Sequence, residues 1–314
     1  SKLSLIIHYQ RIRDLMRERY VVPLMLAPSF VFLIFFYGFP TLSNLFYSFT
    51  DLSLLGLKKG GSYIGFKNYI ELFTSKDFFR VFWNTFFWLT VFSVSLRIFL
   101  GLLLALLLNS PTLRFYRLTT ISRIILLVPW ATPPIVAVVV WSWLLDGRHG
   151  VINKTLLDFG IIETPVAFLA NIHTVWPSII IIILWNTLPL VTLTFLAGLQ
   201  SVPNELIEAA NIDGAGVFNR FYHVTLPHLM PTLVVMSLLL PFCTFNNFVY
   251  VWLSTGAGPG LFTNVLATEI YIKGFIDFEL GFSSAVGMLM AGMMAFFGLI
   301  YFRFVALREF REIM

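Results

Sequence analysis

Six long apolar stretches constrain the fold of this chain more than any other sequence feature. They run approximately over residues 21–48, 82–108, 122–145, 171–199, 229–253 and 283–307. A helix needs about 20 mostly apolar residues to cross a bilayer. The stretches are apolar on all faces and too long for the alternating strands of a membrane barrel. The sequence therefore predicts an all-α integral membrane protein, whose membrane domain of six transmembrane helices occupies residues 21–314.

The composition agrees with this prediction and excludes other classes. Hydrophobic residues make up 58% of the chain and charged residues only 12%, whereas soluble domains carry about 25% charged residues. A soluble globular enzyme is therefore excluded, and so is a disordered chain, which needs low hydrophobicity. The single cysteine, Cys243, rules out an internal disulfide. The basic residues are spread along the chain, so no nucleic-acid partner is expected.

The distribution of Lys and Arg predicts the orientation. Residues 1–20 are basic with interleaved Ile and Leu, which predicts an amphipathic segment on the inner membrane surface. The apolar stretch after it is too long for a signal peptide and is expected to be a retained span. The termini and the second and fourth loops carry twelve of the 21 Lys and Arg, against eight in the opposite loops. This bias predicts a multi-pass protein of the cell (inner, cytoplasmic) membrane with both termini in the cytoplasm.

The spans contain no group that could drive transport. No Asp or Glu falls inside the six stretches, although an ion-coupled carrier normally holds its ion with buried carboxylates. The five histidines are scattered, and the chain has no phosphate-binding loop. We therefore expect no catalytic residues, no metal and no cofactor in this chain. Arg97 is the exception within the spans, and it has two interpretations: a lock between helices, or a group that lines a path.

The loop over residues 201–227 is the most informative segment. Glu205 suits the first turn of a helix, and Gly214 and Gly216 are expected to end that helix and allow a sharp bend. A second short helix, closed by Leu226 and Pro227, is expected to follow. The pattern predicts a helix-turn-helix on the cytoplasmic face, with a bare alanine patch and one anion available to another protein.

At this point the sequence resembles a known family. The pattern Glu208-Ala209-Ala210-x3-Gly214-x9-Val224-x-Leu226-Pro227 is similar to the "EAA loop" of binding-protein-dependent ABC importer permeases, with Val in place of Ile. The resemblance implies a MetI-like permease fold. It also implies that the loop contains a coupling helix that docks into a cytoplasmic ATPase. The residues to which it assigns this coupling are Glu208, Ala209, Ala210, Asp213 and Gly214.

Other segments resemble the sugar-importer branch of that family, of the maltose-type large subunit. Pro129-Trp130-Ala131-x-Pro133 and Leu253-Ser254-Thr255-Gly256-Ala257-Gly258-Pro259 are close to that branch's motifs. In the second motif Ala257 departs from a paired glycine. The first external loop, about residues 50–80, is short, so a large inserted external domain is not expected.

A polar patch at mid-membrane is the expected solute site, since alternating access places such sites between rocking helices. Ser237, Thr244 and Asn247 follow spacings of seven and three, which predicts one helical face. Amides suit vicinal hydroxyls, and an indole ring suits the apolar face of a sugar. With the resemblance, the expected solute contacts are Trp130, Asn186, Thr187, Thr244 and Asn247. The alternative for each Asn and Thr is a hydrogen bond between helices.

The resemblance also implies the partners and the solute. The chain is expected to pair with a homologous second permease, two cytoplasmic ABC ATPases and an extracytoplasmic solute-binding protein, with ATP and Mg bound only by the ATPases. The expected solute is a di- or oligosaccharide. A polyol, a glycerol-phosphate or an amino sugar remains open, and an ion-coupled secondary carrier is the alternative from another class.

Overall fold

The computed structural model describes residues 21, 23–110 and 118–303, with the side chains of 118–120 left aside. The predicted amphipathic segment 1–20 lies outside these residues. So do residues 111–117, in the loop after the second span, and the last four residues predicted for the sixth span.

The described part of the chain is helical, apart from one isolated bridge between Thr50 and Tyr63. The helices are α1 (Pro23–Tyr47), α2 (Lys67–Thr74), α3 (Phe78–Leu108), α4 (Leu118–Ala131), α5 (Pro134–Leu144), α6 (Val151–Asp158), α7 (Val175–Gln200), α8 (Asn204–Ile212), α9 (Val217–Phe245), α10 (Phe248–Thr255), α11 (Leu266–Tyr271) and α12 (Leu280–Tyr301). Among them, α1, α3, α7, α9 and α12 are each long and apolar enough to cross a membrane. The α4–α5 pair provides a sixth span if it is counted as one.

The third span is broken, where the sequence predicted a continuous helix over 122–145. The axes of α4 and α5 differ by 95° at a break over Thr132 and Pro133. Pro133 and Pro134 both lack a backbone N–H, so neither can donate the hydrogen bond that would continue the helix. Trp130 consequently lies beside this break and not at the start of the span.

The fifth span also ends earlier than predicted. Helix α9 stops at Phe245, not at residue 253, and Asn246 and Asn247 form a non-helical link before α10. The prediction that Asn247 shares a helical face with Ser237 and Thr244 is therefore wrong, because the helical periodicity does not continue through the link. Asparagine side chains compete with backbone hydrogen bonds, which favours such breaks.

The second short helix predicted in the 201–227 loop does not close at Pro227. The chain from Val217 continues without interruption into the fifth span. A wider π-helical turn over Phe221–Thr225 precedes the proline. Pro227 cannot donate to the residue four positions before it, and a π-bulge accommodates the missing hydrogen bond within a continuous helix.

Helix α7 forms the centre of the bundle and packs against α3, α4 and α9. Trp176, Ile183 and Phe195 along it are almost completely buried. The approach of α3 is close: a Cβ atom added at Gly101 would lie 2.7 Å from Val191 Cγ1. Helix α12 packs on the C-terminal half of α1 and on α2 and α11. These contacts place the middle of α7 between α3, the α4–α5 break and the α9–α10 link.

Candidate functional site

Among the described residues, Arg97 is the one charged residue that is fully buried. It lies in the middle of α3. Its side chain is only 2% exposed. Its Nε donates to the Ser93 carbonyl at 3.2 Å, and one Nη2 hydrogen bond goes to the Thr244 hydroxyl on α9. This contact confirms the interpretation of Arg97 as a lock between helices, here between the second and fifth spans. Whether Arg97 also lines a path stays a prediction.

Asn186 joins three segments at the break in the third span. Its Nδ2 donates to the carbonyls of Pro129 at 2.6 Å and Thr132 at 2.9 Å, and its Oδ1 accepts a hydrogen bond from the Tyr250 hydroxyl on α10. The Pro129 carbonyl also accepts from the Thr132 N–H at 3.2 Å, in place of the N–H that Pro133 lacks. All strong hydrogen-bonding groups of this buried amide are thus occupied within the protein. Its predicted role in solute contact remains untested.

The two predicted threonines are occupied in a similar way. The Thr187 hydroxyl donates to the Ile183 carbonyl one turn earlier at 2.7 Å, and Thr187 is half-buried. Thr244 is only 1% exposed, and its hydroxyl donates to the Leu240 carbonyl at 2.6 Å while it accepts from Arg97. Their hydrogen bonds are the interhelical and local contacts that were the alternative to solute binding. Contact with a solute stays a prediction for both.

Trp130 and Asn247 present free polar surface. The indole of Trp130 is 48% exposed at the end of α4. Asn247 is half-buried, its backbone N–H donates to the Thr244 carbonyl at 3.1 Å, and its side-chain amide forms no hydrogen bond within the described chain. Of the five predicted solute residues, these two have polar groups that remain available to a ligand.

Tyr250 belongs to this network and was missed by the sequence analysis. It is 5% exposed and bonds to Asn186 across 64 residues of sequence. The signal that could have found it is a tyrosine inside the otherwise apolar segment 248–253, because a buried tyrosine hydroxyl usually needs a partner. The network links the α4–α5 break to α10, the helix that follows the break in the fifth span.

A cavity of 470 Å³ between α3, α9 and α12 lies apart from this network. Its walls are mainly apolar, with Phe86, Pro241 and Phe297 among them. None of the five expected solute contacts lines it, but Ser237 of the predicted polar face does. The Asn186–Tyr250 network and this cavity are therefore separate features.

The predicted coupling segment forms a compact turn on the surface. Helix α8 carries Glu208, Ala209 and Ala210, and it ends one residue before Asp213. Gly214 follows with a φ of +73°, a left-handed conformation that favours glycine. An Arg220 guanidinium hydrogen bond to Asn211 Oδ1 ties the start of α9 to α8. The helix and the glycine turn predicted here are confirmed.

The outer surface of this turn is apolar and anionic. Ile212 and Phe218 are 86% and 88% exposed, and Val217 and Tyr222 are also largely exposed. Glu208 is exposed and takes part in no salt bridge with any described residue. Exposed apolar patches beside an unpaired charge are typical of protein interaction sites.

Comparison with known proteins identifies the class to which this fold and surface belong. The pattern of the family described as "Binding-protein-dependent transport system inner membrane component" matches residues 97–311. The chain belongs to this family. It is a multi-pass permease subunit of a binding-protein-dependent ABC importer, and the resemblance that the 201–227 loop indicated is confirmed.

Two relatives and one solved structure support this assignment. The chain is 32% identical over 293 residues to the sulfoquinovosyl glycerol transport system permease SmoG of Agrobacterium fabrum, covering 93% of this chain and 92% of the relative. It is also 32% identical to the trehalose/maltose transport system permease MalF of Thermococcus litoralis, with 91% and 94% covered. A chain of a bacterial ABC transporter that imports the acidic polysaccharide alginate superposes with a TM-score of 0.77 at 22% identity, over 94% of this chain and 99% of that one. At that identity, the superposition shows the fold alone.

Proposed function

We propose that this chain forms half of the translocation path of a carbohydrate importer and is driven by a cytoplasmic ATPase that docks on α8. The other half of the path comes from a homologous second permease. Two ABC ATPases bind ATP and Mg, and an extracytoplasmic binding protein delivers the solute. The observation that carries this proposal is the exposed turn of α8 and α9, with an unpaired carboxylate at Glu208 beside a large apolar surface.

The position of α8 suits a coupling element. It connects directly to α7 at one end and to α9 at the other, so a displacement of α8 acts on both helices. These helices are in close contact near α8, because a Cβ added at Gly198 would lie 2.8 Å from Leu229 Cδ1 and 3.0 Å from Thr232 Oγ1. Closely packed helices transmit a rigid-body movement instead of absorbing it. A pull on α8 therefore moves α7 and α9 together.

The proposed solute is a di- or oligosaccharide. The support is the names of the relatives, which include a trehalose/maltose permease and a sulfoquinovosyl glycerol permease. In this chain, Trp130 and Asn247 offer an exposed indole and a free amide, groups that suit the apolar face and the hydroxyls of a sugar. Asn186 bonds to carbonyls at the break in the third span, Thr244 joins Arg97 to the end of α9, and Thr187 bonds only within α7.

Both termini and α8 lie in the cytoplasm in this proposal. The support is the excess of Lys and Arg on the termini and the second and fourth loops. The predicted external side then holds α2, α6 and the α10–α11 connection, where the binding protein approaches.

Thiol labelling tests this orientation. A cysteine placed at Ile212 is expected to react with a thiol reagent only when the inner face is accessible.

The test of coupling is Glu208→Lys in the assembled importer. We expect the variant to insert and assemble normally but to lose at least tenfold of the ATP hydrolysis stimulated by solute-loaded binding protein, because a cation replaces the anion that meets the ATPase. Glu163→Lys is the matched control, since it makes the same charge change at an exposed residue between α6 and α7. Normal stimulation in Glu208→Lys would refute the coupling role.

A further inference from the structure

Arg97 is a buried cation without a buried anion. Its two hydrogen-bond partners are neutral, the Ser93 carbonyl and the Thr244 hydroxyl. None of the salt bridges in the described chain includes it, and the sequences of α1, α3, α4, α5, α7, α9 and α12 contain no Asp or Glu. A buried charge is costly unless an opposite charge or several hydrogen bonds compensate it. The described chain supplies that compensation only in part.

A buried polar group beside Arg97 has no hydrogen-bond partner among the described residues. The Ser93 hydroxyl, one turn before Arg97, is completely buried and has no hydrogen-bond partner among the described residues. Thr244 lies in the last turn of α9, and a helix C-terminus offers about half an elementary negative charge. This partial charge offsets part of the guanidinium charge and leaves the region net positive.

The link between α9 and α10 lies directly beside Arg97. Thr244 accepts the Arg97 hydrogen bond through its hydroxyl and the Asn247 backbone N–H through its carbonyl, at 3.1 Å. The side-chain amides of Asn246 and Asn247 form no hydrogen bonds within the described chain, and Asn246 is exposed. Helix α10 begins at Phe248, whose N–H donates to the Asn246 carbonyl at 3.1 Å, so the positive N-terminal end of α10 faces the same link.

We propose that the transported carbohydrate carries one negative charge, on a carboxylate or a sulfonate, and that the α9–α10 link binds this group in the field of Arg97. The inference rests on the proposed function, because it places the link on the solute path. The amides of Asn246 and Asn247 and the N-terminus of α10 contact the anion. Arg97 acts from behind Thr244 as a specificity-determining charge, and its effect is strong because both residues are buried, where the effective dielectric constant is low. One guanidinium neutralises a single charge, which fits a monoanion better than a phosphate dianion.

The test uses three probes that differ at one position of the sugar ring: methyl glucuronide, methyl sulfoquinovoside and the neutral methyl glucoside. Binding to the purified permease–ATPase complex is measured by titration calorimetry without nucleotide and at low salt. We expect both anionic probes to bind at least tenfold more tightly than the neutral one. The tighter of the two anionic probes shows whether the charged group is a carboxylate or a sulfonate.

Substitutions assign the preference to Arg97. Arg97→Lys keeps the charge and should keep the preference, whereas Arg97→Gln should reduce it to threefold or less. Arg80→Gln is the matched control, because it removes a cation from the same helix where Asp77 already pairs with it at 3.5 Å. Asn247→Asp serves as a second variant if Arg97→Gln does not assemble, and its added negative charge should abolish the preference.

Several outcomes would overturn the proposal. These are equal binding of charged and neutral probes, no binding of any probe, a preference that survives in Arg97→Gln or Asn247→Asp, or a preference that Arg80→Gln removes as well. The measurement needs no ATP hydrolysis, so a failed anion preference and a failed coupling at Glu208 are independent results.

Discussion

At the scale of single residues, the polar groups in the middle of this bundle are mainly occupied with the protein's own backbone. Asn186 is the clearest case, since its amide donates to two backbone carbonyls at the break in the third span. An amide is suited to this task because it donates twice and accepts through one oxygen. A sequence position that resembles a solute contact can therefore have a structural role.

Asn186→Leu tests this structural role. The substitution leaves the Thr132 carbonyl and the Tyr250 hydroxyl without the partner that Asn186 provides, while the Pro129 carbonyl keeps its bond from the Thr132 N–H. Each buried unsatisfied group costs about 1–3 kcal/mol. We expect a clear fall in the unfolding temperature of the purified complex. Thr187→Val is the control, because the Thr187 hydroxyl bonds only within α7, to Ile183, and its loss should have a small effect. Equal unfolding temperatures for Asn186→Leu and the native protein would contradict the role.

Glu269 gives the stability of the α11 region a pH dependence. It is half-buried outside the spans, and its carboxylate accepts from Asn264 Nδ2 at 2.5 Å. Burial raises its pKa above the ordinary value, against the opposing effects of Asn264 and Lys273. An acid with a raised pKa in the folded state stabilises it while protonated, and this contribution is lost as the pH rises through the folded-state pKa.

Glu269→Gln should remove this loss, because glutamine stays neutral and its oxygen can still accept from Asn264. We expect the variant to unfold at the same or a higher temperature than the native protein at neutral pH. The difference should shrink as the pH falls toward the ordinary pKa of glutamate. Glu163→Gln, at an exposed residue, controls for the change in net charge. A difference between variant and native protein that does not change with pH would contradict this account.

At the scale of elements, close backbone approaches fix how the helices meet. The start of α12 packs against the segment that follows α1, where the Gly281 N–H donates to the Leu52 carbonyl at 2.9 Å. A Cβ atom at Gly281 would lie 2.0 Å from the Thr50 carbonyl oxygen. Backbone atoms at this distance cannot move aside as a flexible side chain can, so the approach requires glycine.

Gly281→Ala is therefore expected to separate α12 from the α1–α2 connection and to destabilise the protein strongly, by about 2–4 kcal/mol or more if overpacking and the lost hydrogen bond combine. The matched control is Gly292→Ala in the same helix, where a Cβ meets nothing within 4 Å. Thermal unfolding and the yield of folded protein in detergent measure the difference. Similar behaviour of the two variants would show that the contact at Gly281 does not exist.

Element boundaries also show what sequence patterns can and cannot predict. Helix α8 and the turn at Gly214 followed from local signals, because an acidic first turn and a glycine stop act within a few residues. The breaks in the third and fifth spans could not be predicted from such local signals. Proline is tolerated inside membrane helices when neighbouring groups satisfy the freed carbonyls, as Pro231 and Pro241 inside α9 show. At Pro133, by contrast, the span is broken, and the side chain that bonds to two carbonyls at this break, Asn186, lies 53 positions later in the chain.

At the scale of the whole molecule, the chain is not complete by itself. Much of α1 packs on nothing within the described chain: Leu24 and Met25 are 74% and 75% exposed, and the apolar part of this helix buries no residue. Lipid or a partner subunit must cover this surface. In the proposed importer, the polar network between α7, the α4–α5 break and α10 forms one wall of the path, and the second permease forms the other.

The sequence by itself determined the membrane class, the number of spans, the family and the position of the turn around Glu208, since these depend on composition and on short local patterns. Only the tertiary structure decided the pairing of Arg97 with Thr244, 147 residues apart, the use of Asn186 by the broken span, and the entry of Tyr250 into the same network. The physical reason is that apolarity and turn chemistry are local properties. The partner of a buried polar group, by contrast, is set by whichever distant segment the packing brings within hydrogen-bond distance.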